Sequence, residues 1–348
     1  MSYGELSNTQ ETMVLPMLQM KNIRGKPYIT VSAKGMINGL SNIPNDGADF
    51  GPDTTKGATA PGQYGGTYTQ TTGLKEAINY GIATGTKSGT GIFVPEIKII
   101  SPFIIISASI TVQAPSGYKI SQFKISGISS MTYIDINLSG AYAITLDPGS
   151  FDDMNMRFEN LQPAVSGGSP YGFLSADFST ANGGTNIFEG YNLDVSNDGW
   201  VTAPFYLKSF AAIFLYNYES YSTNNPTTYA NGYFDATNIF VYGIEGSNYE
   251  YYFANATYVY IAGMSQGSQS GTNTGAYVVL TNVISAVLAD VFGVIGLGSN
   301  ITNLIIINQA QGSGSASSIQ STSSGTSRTI TYFKLLGFYN YGTNSYFT

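Results

Sequence analysis

From Ile92 onward the chain alternates short apolar runs with Gly, Asn and Ser, the pattern of strands separated by turns. Segments 103–112, 118–128 and 131–138 read as successive strands, with Gly117 and Gly127 at corners. Long helical periodicity is absent. The one short amphipathic helix expected is 72–80, whose Leu74, Ala77 and Ile78 share a face. A turn-rich stretch precedes it and an apolar strand ending in Pro95 follows it. The pattern therefore predicts an all-β body entered through a cap at 45–95.

The second half echoes itself. Segments 237–242, 256–261, 281–284 and 302–307 each place a small polar pair before an apolar run. Aligning Asn238, Thr257, Asn282 and Asn303 gives steps of 19, 25 and 21 residues. A period near 20 suits one rung of a parallel β-helix, with a stacked Asn at one corner of every rung satisfying turn backbone groups. An antiparallel β-sandwich is the alternative. Nearly continuous apolar runs favour the β-helix, because strands of a parallel sheet are covered on both faces.

The order of Asp46-Gly47-Ala48-Asp49, the helix Leu74-x-x-Ala77-Ile78-Asn79 and the strand Gly91-x-Phe93-Val94-Pro95 resembles the opening of pectin-lyase-like right-handed parallel β-helices. That fold is shared by many viral tailspikes. The resemblance covers residues 45–95 and speaks to fold more than to chemistry. It implies a solenoid body over 92–337, preceded by an extension at 1–44 and followed by an aromatic tail at 338–348. The apolar, Met-rich stretch at 13–20 is expected either to dock into a neighbouring subunit or to cover the solenoid end as a strand. The uncharged Gly- and Ser-rich stretch 311–327 is expected to be a surface loop.

By the same resemblance the chain is expected to be an exterior virion structural protein of spike, fibre or turret type. It would bind a host surface glycan or protein, contact other virion proteins and form a homo-oligomer, with a trimer as the first expectation. A glycan-degrading tailspike enzyme is the alternative function, and a cellular surface-layer or filament subunit is a second one. Residues 1–30 show no long apolar core and no small-residue cleavage site, so no export signal is expected. Departure inside a particle would account for an external protein of that kind.

Composition narrows these readings. Only 10% of residues are charged, the chain has no Cys and no His, and Tyr numbers 27. Disulfides, thiolate metal sites and histidine bases are therefore excluded. A polar, mostly uncharged surface suits an archaeal virus of hot or acidic surroundings. The first 124 residues hold ten cations and seven acids, a balance of +3, whereas the rest hold four cations and fourteen acids, a balance of −10. Such a body cannot track a phosphate backbone, so nucleic acid is excluded as its partner. The apolar run at 99–110 is interrupted and too short to span a bilayer.

Carboxylates are the remaining candidates for catalysis. Asp194 and Asp198, with Glu189, stand out because 194–200 combines two acids, an amide and Trp200, the only Trp. Asp152, Asp153, Glu159, Asp177 and Glu219 are further candidates. Asp198-Gly199 and the acids after Pro148-Gly149 also read as turn chemistry. Lyases sharing the fold use a calcium site with an Arg base, and no residues here match that set. Asp46, Asp49 and Asp53 lack the spacing of a calcium loop, so neither a metal nor a cofactor is expected. Trp200, Tyr216, Tyr218, Tyr221, Tyr249, Tyr251 and Tyr252, interleaved with Asn and Ser, are the candidate binding surface, with burial in the solenoid as the competing reading. Asn137, Asn255 and Asn300 are candidate glycosylation sites.

Overall fold

The computed structural model describes residues 28–33, 48–180, 185–196, 199–221, 231–247, 251–266, 278–299, 301–311, 319–321 and 329–340. Among the described strands every pairing is parallel except the hairpin of Thr86–Ser88 with Gly91–Phe93. That arrangement is a parallel β-helix and rules out the antiparallel sandwich.

Three faces build the solenoid. Long strands bend at a corner and serve two faces each: Phe151–Ser169 pairs through 155–159 with Lys119–Ser126 and through 161–169 with Thr132–Ser139. The first face continues through 187–191, 212–216, 238–242, 258–262, 285–289, 303–307 and 332–336. The second resumes two residues later on each rung, at 193–196, 218–221 and 244–247. The third runs from Ile110–Val112 through Tyr142–Leu146, Gly172–Asp177, 205–208, 232–235, Tyr251–Ala254, Val278–Thr281 and Ile295–Leu297 to Ile319–Ser321. This last strand falls inside the stretch expected to be all loop.

Alternation along each strand decides what fills the interior. Leu215, Val241, Ile261, Leu288 and Ile306 lie in register on the first face and are fully buried. Removing each from water is worth about 1.5–3 kcal/mol. Aromatic rings widen the same core in the N-terminal half, where Phe158 stacks on Phe188 at 6.0 Å between ring centroids.

The N-terminal end is closed by helix α1, Leu74–Thr84, which packs against Tyr28–Val31, Glu96–Ile99 and Ile110–Val112. Gly73, at φ 80°, turns the chain into the helix. Leu74, Ala77 and Ile78 are buried as expected, and Ile82 continues the same face, so α1 runs beyond residue 80. Glu76 is also buried: its Oε1 accepts from Gly57 N–H at 3.1 Å and its Oε2 from the Thr69 and Thr71 hydroxyls at 2.7 and 3.3 Å. Tyr28–Val31, in the segment expected to be an extension, pairs with Glu96–Ile99 and belongs to the solenoid. Segment 13–20, Asp46 and the tail beyond residue 340 lie outside the described residues. Asp49 accepts at one carboxylate oxygen from both the backbone N–H and the hydroxyl of Thr30, at 2.9 and 2.8 Å, which is turn chemistry.

Charge at the cap tests this account. Ile78→Asp would bury a carboxylate with no cation beside it, at a cost of several kcal/mol. The expected result is loss of the cooperative thermal transition in circular dichroism, and a soluble variant of unchanged melting temperature would overturn the cap assignment.

Candidate functional site

From Asn160 onward each described corner between the first and second faces is made by one residue in the left-handed region. Asn160, Asn192, Asn217, Asp290 and Asn308 occupy it at φ between 48° and 57°, and Gly243, Gly263 and Gly337 at 73° to 76°. These residue types tolerate that conformation. The amides stack from rung to rung: Asn192 Nδ2 donates to Asn160 Oδ1 and Asn217 Nδ2 to Asn192 Oδ1, both at 3.0 Å. Asn308 likewise donates to Asp290 at 3.0 Å. Bonded neighbours are 32, 25 and 18 residues apart, so rung length varies widely.

The amide ladder anticipated from the sequence therefore exists, on other residues. Asn238 pairs with Tyr258, which pairs with Ser285, which pairs with Asn303. Of the four aligned positions only Asn282 joins a ladder, at a different corner, where it donates to Asn255 at 2.8 Å and Asn255 donates to Asp235 at 2.7 Å.

At Gly243 and Gly263 the first ladder has no side chains. A Cβ on Gly243 would lie 3.0 Å from Asn217 Oδ1, so that oxygen faces the gap, and a Cβ on Gly263 would meet nothing closer than 3.8 Å. A groove of about 290 Å³ opens there, lined by Asn217, Glu219, Gly243, Glu245, Gly263 and Ser265 with Met131, Leu193, Tyr218 and Ile244.

Different chemistry flanks the two sides of this corner. On the first face Tyr191, Tyr216 and Tyr242 stack in register, with centroids 4.5 and 5.1 Å apart and rings within 8° of parallel. The Arg157 guanidinium covers the other side of Tyr191 at 3.9 Å. Ring faces are thus taken by neighbours, and the Tyr191 and Tyr216 side chains also hydrogen-bond each other. On the second face Asp194, Glu219 and Glu245 lie in register on consecutive rungs, with strands about 4.8 Å apart. Gln162 Nε2 donates to Asp194 Oδ2 at 2.7 Å. Burial, and then the Glu219 charge, push the Asp194 carboxyl up to about 6.

Four other candidate acids are engaged elsewhere. Glu159 bonds Arg157 at 2.7 Å and lies 3.3 Å from Lys124, and these cations hold its carboxyl below the ordinary range despite partial burial. Glu189 lies 3.7 Å from Arg157 on the first face, across the corner from Asp194. Asp177 binds Ser179 and Lys208, and Asp153 takes the backbone N–H and hydroxyl of Thr185, at 2.9 Å each. Both carboxyls are lowered, Asp153 by Thr185 and Asp177 by its partners against burial. Asp198 lies outside the described residues.

Several expected binding residues face inward. Trp200, Tyr218 and Tyr251 are 4%, 1% and 0% exposed. The Tyr218 and Tyr251 hydroxyls donate to the carbonyls of Asn231 and Glu245, both at 2.8 Å, so these rings are core and not contact surface. Tyr252 is half-buried against Val279 and Val294. Tyr216 remains at the surface. Tyr249 and the side chain of Tyr221 fall outside the described residues. Of the glycosylation candidates, Asn137 is exposed, the Asn255 amide is spent on Asp235, and Asn300 lies outside the described residues.

Glu245 and the two glycines were not singled out from the sequence. Their signal was present: Tyr191-Asn192-Leu193-Asp194, Tyr216-Asn217-Tyr218-Glu219 and Tyr242-Gly243-Ile244-Glu245 are one repeated tetrapeptide. No protein-family model, curated protein or solved structure matches this chain. Among the described residues no helix is long and apolar enough to cross a membrane.

The acid ladder gives stability a pH dependence. The folded-state value of Asp194 lies above its unfolded value, so the folded chain binds that proton more tightly, and its contribution grows as pH falls through about 6 and is complete near 4. Solvent screening of this half-exposed group reduces the effect to about 1 kcal/mol. Melting temperature should rise between pH 7.5 and 4.5, and Asp194→Asn should remove most of that rise. An unchanged pH profile in the variant would exclude Asp194 as its source.

Proposed function

We propose that the chain is an exterior virion protein of spike, fibre or turret type that attaches to a host surface glycan through the corner groove and leaves it chemically intact. The observation that carries the binding role is the interruption of the amide ladder at Gly243 and Gly263, between a stack of Tyr rings and a row of carboxylates. An amide oxygen, carboxylates and a Ser hydroxyl converge there, and a polyhydroxylated ligand can donate to all of them. The long solenoid and the polar, weakly charged, Cys-free composition support an external structural setting.

Gly263→Asn tests this reading without endangering the fold. Asn suits the left-handed corner and can extend the amide stack, so stability should hold or rise by about 0.5 kcal/mol. Calorimetric titration with envelope oligosaccharides should show binding by the wild type and its loss in the variant. Equal binding by both proteins, or none by the wild type, would count against the groove.

A second reading, glycan cleavage, is favoured by one feature. Asp194 keeps its proton up to about 6 beside Glu219 on the next rung. A spacing near that of adjacent strands approaches the roughly 5–5.5 Å between carboxyls of retaining glycosidases. Release of reducing ends from envelope polysaccharide, abolished by Asp194→Asn, would establish cleavage. No release is expected if the role is attachment alone.

A further inference from the structure

We infer that the outward first face, from 212–216 to 303–307, is the seat of a second copy of this chain, packed face to face about a two-fold axis. One in-register column organises that face: Glu189, Phe214, Phe240, Tyr260, Val287, Ile305 and Lys334 occupy equivalent outward positions on seven consecutive rungs. The five central side chains are apolar or aromatic and only half-buried, and Phe214 stacks on Phe240 at 5.0 Å to make a flat surface. Every outward position of these five central strands is uncharged.

Charge identifies the occupant. The chain carries −7, so two copies repel unless an uncharged or complementary face lies between them. The second face bears Asp194, Glu219 and Glu245, and on the third the outward Val279 is already buried with Val294. Among the described residues the first face combines openness with neutrality over five consecutive rungs, and the two ends of that stretch differ in sign. Glu189 borders the uncharged stretch at one end as the last member of a network with Glu96, Lys124, Glu159 and Arg157, three acids against two cations, and Lys334 borders it at the other. A two-fold axis through the middle position, Tyr260, reverses the column and sets Glu189 of one copy against Lys334 of the other at both ends.

The footprint is adequate for such a pair. Five strands about 4.8 Å apart and five residues of about 3.3 Å each give roughly 400 Å² of flat area per copy. With side-chain relief the pair buries about 1,000 Å² in total, the lower limit for a specific interface. Sheets packed in this way stand about 10 Å apart. The pairing is two-fold, in contrast to the trimer that the tailspike resemblance implies, and it does not depend on the glycan reading.

Sedimentation equilibrium of the full chain at micromolar concentration should give twice the 37.1 kDa mass. Lys334→Glu should weaken association at least tenfold, and Glu189→Lys combined with Lys334→Glu should restore it, since only the reciprocal contact is repaired by the exchange. Tyr260→Glu should abolish the pair while keeping the wild-type circular dichroism spectrum. A monomeric or trimeric wild type, a dimer indifferent to Tyr260→Glu, or a double exchange that fails to recover association would each overturn the proposal.

Discussion

From Asn160 onward, register from one rung to the next depends on a single residue with positive φ at each described corner between the first and second faces. Without it a long strand such as Phe151–Ser169 would run straight and could not pair with two different strands of the preceding rung. That requirement restricts the position to Asn, Asp or Gly from Asn160 onward. Where the residue is Asn, its amide bonds the amide one rung away, so the residue that bends the chain also locks the rungs in step.

The corner explains what could and could not be read from the sequence. Alternating apolar runs revealed the parallel architecture, and the face formed by Leu74, Ala77 and Ile78 revealed the cap, because both are local patterns. Rung alignment was hidden because the steps between bonded corners range from 32 to 18 residues and because Gly and Asp share the position with Asn. The Tyr-rich region was visible as composition, but its faces were not. Tyr216 and Tyr218 would share a face in a straight strand. The left-handed Asn217 between them shifts the alternation, so Tyr216 stacks at the surface while Tyr218 enters the core.

Polarity along the first face follows the uneven charge of the chain. Toward the N-terminal end, Glu96, Lys124, Glu159, Arg157 and Glu189 link successive rungs through contacts of 3.3 to 3.7 Å, with Arg157 and Glu159 joined at 2.7 Å within one strand. Exposed pairs of this kind contribute well under 1 kcal/mol each, so their main effect is on register. From Tyr191 to Ile307 the first face carries no cation, and stacked rings take over the same positions. A solenoid tolerates such a change because each rung contacts only its neighbours.

Two departures from the most stable arrangement meet on the rung of Gly243 and Glu245 and border one groove. Asp194, Glu219 and Glu245 stand in register although like charges on adjacent strands repel, and burial, with the Glu219 charge second, pushes Asp194 up to about 6. Beside them the corner ladder gives up its amides at Gly243 and Gly263, although Asn serves the same backbone conformation two rungs earlier, at Asn192 and Asn217. An Asn at these corners would add an amide bond to the ladder, and an uncharged residue in place of a carboxylate would relieve the repulsion. Local sacrifices that coincide in one groove, on an otherwise regular scaffold, mark the place where the sequence answers to something other than folding.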